Sequence, residues 1–305
     1  MRKPRHVRIS KIYPLITAAL VTLTIAPLLA AQASYSPGGW PTLHQDAGNR
    51  RSVDVNVLDL QYQSWTALSG AAVLTAPVTS PDGRNLYVAT GLAEGQSNLH
   101  AFSIDGALLW QAPAWTDPDN GIDPCAILSS PIVDSEGDIY LNDCNQLFAF
   151  HADGAAKWVR PLPPTQAGDW LAAGDHPVNA FTTAAFTNEG ELVGVTNFGD
   201  VVLVDRATGA TLNAPYRLRS ALAPYADKYA MPDSMLGNGL MAANFREWAW
   251  QLLFAGNMRS ANTPAVGANG RIFVVGSSEE PGVGALYGFD IDRSVSPFII
   301  RSAFS

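Results

Sequence analysis

From residue 74 onward the chain alternates apolar and polar positions over short runs, each broken by a turn rich in Gly, Asp, Asn or Ser. The stretch "SPIVDSEGDIYLNDCNQLFAFHADGAAKW", residues 130–158, holds four such runs in succession. Period-two alternation predicts strands with a buried face, and the intervening turn chemistry predicts antiparallel hairpins. The run "PIV" enters a turn at Gly137, where a positive φ suits glycine. The return run carries Tyr140, the third run "QLFAF" alternates large and small side chains, and the fourth ends in Trp158.

This grammar recurs. Residues 75–110, 183–213 and 263–294 repeat it, with turn glycines Gly83, Gly137, Gly190 and Gly270 spaced 54, 53 and 80 apart. Pro77, Pro131, Ala184 and Pro264 each stand six residues before those glycines. A second glycine (Gly106, Gly154, Gly209) precedes Trp110, Trp158 and Asn213 by four residues. Four antiparallel strands recurring at a period near 50 predict an all-β fold, a β-propeller built of four-stranded blades. An irregular β-sandwich would not require the recurrence.

The segments "FSIDGALLW", "FHADGAAKW" and "VDRATGATLN" resemble the repeat of the pyrroloquinoline-quinone-type (PQQ-like) β-propellers. "WPTLHQDAGNRRS", residues 40–52, resembles the arm that precedes those repeats. Members of that family generally have six to eight blades, and this chain shows four, of which the third has Asn213 in place of Trp. The expectation is therefore an incomplete ring, its closing blades missing or supplied by a partner; a closed four-bladed ring is the alternative. Residues 60–68 read as an isolated outer strand ahead of the first blade, and residues 296–304 as the outer strand of the fourth. An open arc exposes sheet edges and invites self-association.

The first 33 residues are of another kind. Arg2, Lys3, Arg5, Arg8 and Lys11 precede an apolar run and the small-x-small sequence Ala31-Gln32-Ala33. This is the layout of a secretory signal peptide, and Pro14 and Pro27 argue against a retained membrane anchor. The expected organisation is a signal peptide over 1–33, an arm over 34–73 and blades over 74–305. The whole chain carries 19 basic and 27 acidic residues. Losing the five basic residues of the leader leaves 14 against 27, a net of −13. So acidic a surface repels nucleic acid and anionic lipid. The reading is an exported protein, periplasmic or extracellular, off the membrane after cleavage.

The long gap before the fourth repeat contains an expected helical insertion, about residues 231–257. Met241, Phe245, Trp248 and Leu252 share one face of a helix, and Trp250 widens it. Such a face packs on a blade or, with Phe245, Trp248 and Trp250 exposed, receives a partner. Cys125 and Cys144 are the only cysteines. They flank the first hairpin of the second repeat, so a cross-strand disulfide suits both the register and an oxidising compartment. It would close about 20 residues, worth roughly 3 kcal/mol on chain entropy. Two buried thiols are the alternative.

Catalytic chemistry is not announced. Asp117, Asp119 and Asp123 surround Gly121 and could wrap a Ca²⁺ ion, although the spacing is also that of a turn-rich loop. No histidine pair has metal spacing, and no nucleophile elbow, zinc-protease or phosphate-loop motif is present. The family resemblance implies PQQ and Ca²⁺ as cofactors of a dehydrogenase reading, but no cofactor ligand carries over residue by residue. The favoured expectation is a scaffold for a protein partner or a small-molecule or glycan ligand. A fragment of a PQQ-dependent alcohol or sugar dehydrogenase and a carbohydrate-binding propeller are the alternatives.

Overall fold

The computed structural model describes residues 35, 41–43, 45–46, 64–69, 71, 73, 75–90, 99–112, 129–143, 146–164, 166, 179–181, 183–218, 263–278 and 284–304. Among them are four antiparallel sheets, each met once along the chain. Blade 1 comprises β1 (Val78–Thr79), β2 (Asn85–Ala89), β3 (Leu99–Ser103) and β4 (Leu108–Gln111). Blade 2 comprises β5 (Ile132–Val133), β6 (Ile139–Asn142), β7 (Gln146–Phe150) and β8 (Ala156–Pro161). Blade 3 has β9 (Ala185–Phe186), β10 (Leu192–Val195) and β11 (Val201–Val204). Blade 4 has β12 (Ala265–Val266), β13 (Ile272–Ser277), β14 (Gly284–Asp292) and β15 (Ile299–Phe304). Strand order within each sheet follows the sequence, as in the up-and-down blade of a propeller.

The turns follow from their residues. Gly83, Gly106, Gly137, Gly154, Gly190, Gly209 and Gly270 all have positive φ. In the first turn of blade 2 the Asp134 carboxylate accepts the main-chain N–H of Glu136 and Asp138, each at 2.9 Å, closing the hairpin locally. The blades stack face to face and bury three apolar layers. One joins blades 1 and 2 through Tyr87, Leu99, Ile139 and Phe148. The next joins blades 2 and 3 through Tyr140, Trp158 and Phe186, and the last joins blades 3 and 4 through Val193, Leu203, Val274 and Phe289. Among the described residues no such layer joins blade 4 to blade 1, and the four described blades form an open arc.

Blade 3 departs from the repeat: its outer segment touches β11 through isolated bridges, Val204 to Thr211 and Asp200 to Arg217. Between them the Asn213 carboxamide accepts the Leu203 N–H at 2.8 Å and donates to the Val201 carbonyl at 2.9 Å. The main chain at Asn213 is displaced outward and pairs in parallel with Phe298 at the entry to β15. Blade 4's chain thereby covers blade 3's open edge.

The arm touches blades 1 to 3. Tyr35 bridges to Asp134, and its hydroxyl accepts the Phe186 N–H at 3.0 Å; the Pro41 carbonyl accepts the Val133 N–H at 2.9 Å. Residues 64–68, the described part of the expected isolated strand, are not in a strand. They are held instead by Trp65, whose indole lies over the outer turn of blade 1. The expected helical insertion at 231–257 and the leader at 1–33 lie outside the described residues.

Candidate interaction surface

The seams between blades are built on one repeated contact. The Trp110 indole N–H donates to the Ala152 carbonyl at 3.0 Å, and Trp158 likewise to Arg206 at 3.0 Å. A β-carbon on Gly154 or Gly209 would lie 2.7 Å from those indole rings, so only glycine admits them. Trp65 makes the same contact with blade 1, donating to the Ile104 carbonyl at 3.1 Å over Gly106. The aromatics on the outer strands of blades 1 and 2 thus fit the glycine turns of the blades that follow them.

Register identifies the counterpart on blade 4. Trp110 stands opposite Ala101 and Trp158 opposite Ala149, each beside a β-bulge; Phe304 stands opposite Gly288 beside the same bulge. Tyr87, Tyr140 and Phe273 pack on these three aromatics with ring centroids 5.8, 5.9 and 6.1 Å apart. Next along the same face come Leu99 opposite Ala89, Leu147 opposite Asn142 and Leu286 opposite Val275. Leu99 and Leu147 are 0 % and 1 % exposed beneath the following blade, whereas Leu286 is 50 % exposed. Val275 at 51 % and Phe304 at 41 % complete an apolar face on blade 4. Burying a leucine contributes about 1.5–3 kcal/mol; blades 1 and 2 realise that gain and blade 4 does not.

The Gly106 turn is already filled by Trp65, which leaves it no room for Phe304. This occupancy argues against the closed four-bladed ring.

A second, polar cluster lies between blades 2 and 3. The Asp134 carboxylate accepts the Tyr140 hydroxyl at 2.9 Å and faces Arg206 at 3.5 Å. Asp138 is paired with Lys157, at 2.5 Å, and with His151 Nδ1 at 3.0 Å. Burial pushes the Asp134 carboxyl above its usual range, against the hydrogen bonds it accepts from Tyr140 and the Asp138 N–H. Burial and the neighbouring Asp134 also push the Tyr140 phenol upward, keeping it a donor. Asp134, Glu136 and Asp138 bring carboxylate oxygens within 4.8 Å of one another. Main-chain N–H groups, Tyr140, Lys157, His151 and Arg206 already answer the two aspartates, and the added cations oppose a metal ion. The cluster therefore fits a structural network better than Ca²⁺. The inner edge of blade 2 is paired with Tyr35 and Pro41, so among the described residues it offers PQQ no cradle.

The residues singled out in the sequence, Asp117, Asp119, Asp123, Cys125, Cys144, Phe245, Trp248 and Trp250, lie outside the described residues. Leu286 and Phe304 were not singled out, because exposure of a strand face depends on the neighbouring blade. Phe304 carries no spacing signal either: Trp110 and Trp158 stand four residues after a turn glycine, and the corresponding turn of blade 4 has none. His100 and His151 occupy repeat positions, His100 within β3 and His151 beside Asp138.

No family model matches the chain, and no curated protein matches it in sequence. Among solved structures it is similar to quinohemoprotein alcohol dehydrogenase from Comamonas testosteroni, with TM-score 0.50 and 15 % identity, over 90 % of this chain and 43 % of that one. The quinohemoprotein alcohol dehydrogenase ADHIIG from Pseudomonas putida HK5 gives TM-score 0.47 and 16 % identity, over 82 % of this chain and 35 % of that one. BamB from Moraxella catarrhalis gives 0.30 and 17 %, over 70 % and 47 %. The chain spans less than half the length of each of the three. The first likeness, read with the four up-and-down sheets, places the fold among the β-propellers.

Proposed function

We propose that this chain is an exported β-propeller scaffold that receives a protein partner on the apolar face of blade 4. One observation carries the reading: Leu286 is half exposed, while its register counterparts Leu99 and Leu147 are buried by a neighbouring blade. An apolar sheet face rimmed by charges such as Asp292 and Arg301 has the make-up of a docking surface. Among the described residues no helix is long and apolar enough to cross a membrane.

A photo-crosslinking amino acid placed at Leu286 tests the interaction, with the exposed turn residue Asp105 as the control site. The expected result is a discrete protein adduct from position 286 in the cells that make the protein. No adduct, or the same adducts from Asp105, would remove the basis for this surface. The export reading predicts that protein recovered outside the cytoplasm begins at Ser34. An intact Met1 there would contradict cleavage.

A further inference from the structure

We infer that a cavity at the outer end of the seam between blades 2 and 3 binds a neutral, hydroxyl-bearing small molecule, with a pyranoside sugar as the matching class. The cavity measures about 450 Å³, within the range of roughly 300–1,000 Å³ typical of small-molecule sites. It exists because the outer segment of blade 3 bulges away from β11 at Asn213, whose carboxamide spans the gap. Pro163 and Pro164, leaving β8, form one wall, and Pro215 and Tyr216 form the other. Thr211, Pro215 and Gln166 are exposed at the rim, so the space opens to solvent.

The chemistry of the walls selects the ligand. Asp200 and Arg217 line the cavity and bind each other through two parallel hydrogen bonds, Nε to Oδ1 at 2.7 Å and Nη2 to Oδ2 at 2.6 Å. Their charges cancel, and both are largely withdrawn from water, Asp200 at 7 % and Arg217 at 12 % side-chain exposure. A charged ligand would have to recruit one member and strand the other, which is costly in a desolvated pair. A neutral ligand leaves the pair intact. Asn179 stands against the same wall, its Nδ2 donating to the Pro163 carbonyl at 2.6 Å and to Asp200 Oδ2 at 3.0 Å. Asn179 thus braces the Asp200 carboxylate from behind the wall. Asp200 Oδ1, which lines the cavity and accepts the Arg217 Nε–H, has a second lone-pair direction open to an O–H donor. Proline rings and a tyrosine face, in turn, offer flat apolar area to the C–H face of a ring. Neutral charge, donor hydroxyls and an apolar face together describe a pyranoside.

The test is isothermal titration calorimetry of the full chain with glucose, galactose, mannose, N-acetylglucosamine, maltose and cellobiose, and with glucuronate and glucosamine as charged counterparts. The inference expects saturable binding of at least one neutral sugar and at least tenfold weaker binding of the charged counterparts. It expects Tyr216→Ala to weaken that binding at least tenfold. Where Tyr216→Ala fails to fold, Thr211→Trp at the exposed rim serves as the blocking variant. Binding of none of the neutral sugars, equal binding of a charged counterpart, or full binding by the folded cavity variant would overturn it. Leu286→Glu should leave sugar binding unchanged, because the partner surface lies on another blade; the two readings therefore fail independently.

Discussion

Asn213 is joined to Val201 by a side-chain hydrogen bond that does the work of a main-chain one: its Nδ2 donates to the Val201 carbonyl at 2.9 Å. Its Oδ1 accepts from Leu203 at 2.8 Å, so one carboxamide satisfies two main-chain groups on the edge of β11. A tryptophan at this repeat position would have no turn glycine to rest on, since the corresponding turn of blade 4 reads Asp292-Arg293-Ser294. Loss of the tryptophan and loss of the glycine belong to the same seam.

Asn213→Ala should cost about 2–4 kcal/mol, because it strands a buried donor and a buried acceptor together. Asn213→Trp, which restores the repeat pattern, should also destabilise. Urea unfolding midpoints check both; a Trp variant as stable as the parent would show that the seam tolerates the ring.

Much of this fold was legible in the sequence for local reasons. A turn needing positive φ calls for glycine wherever it occurs, so Gly137, Gly154 and Gly209 mark the turns, and Trp158 marks an outer strand. Asn213 looked like decay of the repeat, because a carboxamide replacing a peptide group leaves no periodic trace. The exposure of Leu286 could not be read from "ALYGF", which has the same small-large alternation as the buried "QLFAF". Burial there is decided by the adjacent blade. In sequence the acidic loop, Cys125 and the aromatic insertion fall between blades and Cys144 between two strands of blade 2, where hydrophobic period specifies least.

The glycine contacts separate two contributions that usually travel together. Gly83 and Gly209 both have positive φ, at 68° and 73°. A β-carbon at Gly83 would meet nothing within 4 Å, whereas one at Gly209 would lie 2.7 Å from Trp158 and 2.8 Å from Arg160. Gly83→Ala should therefore cost about 1 kcal/mol for backbone strain, and Gly209→Ala about 2–4 kcal/mol for strain plus overpacking. Thermal unfolding with tryptophan fluorescence reports both. Equal losses would mean that the indole moves aside freely.

Arg293 ties blade 4 to blade 3, holding Glu191 through Nε at 2.8 Å and Nη2 at 2.9 Å, with Glu189 at 2.8 Å. Burial opposes ionisation of Glu191, yet the hydrogen bonds from Arg293 and Thr187 hold its carboxyl below the usual range. Its contribution to stability is thus present above the ordinary glutamate value and is lost as pH falls through the lower, folded one. Arg293→Gln should cost about 1–3 kcal/mol at neutral pH and flatten the stability loss below about pH 4.5. An acid limb of unchanged slope in urea titrations would detach Glu191 from this role.

His100 should make the protein sensitive to mild acid. It is 4 % exposed, its Nδ1 has no partner, and burial holds its pKa below the usual imidazole value. The unfolded chain takes up a proton as pH falls through about 6.5, while the folded chain resists it until the lower folded value. Stability is therefore fully present above about pH 6.5 and declines below it, by at most roughly 1.4 kcal/mol per pH unit from this one group. Blade 2 carries Phe148 at the register position of His100, opposite Leu141 as His100 is opposite Val88. His100→Phe removes the titration and gives up no hydrogen bond at Nδ1. Its melting temperature should fall less than that of the parent between about pH 7 and pH 5. Parallel melting curves across that interval would mean that acid sensitivity arises elsewhere in the arc.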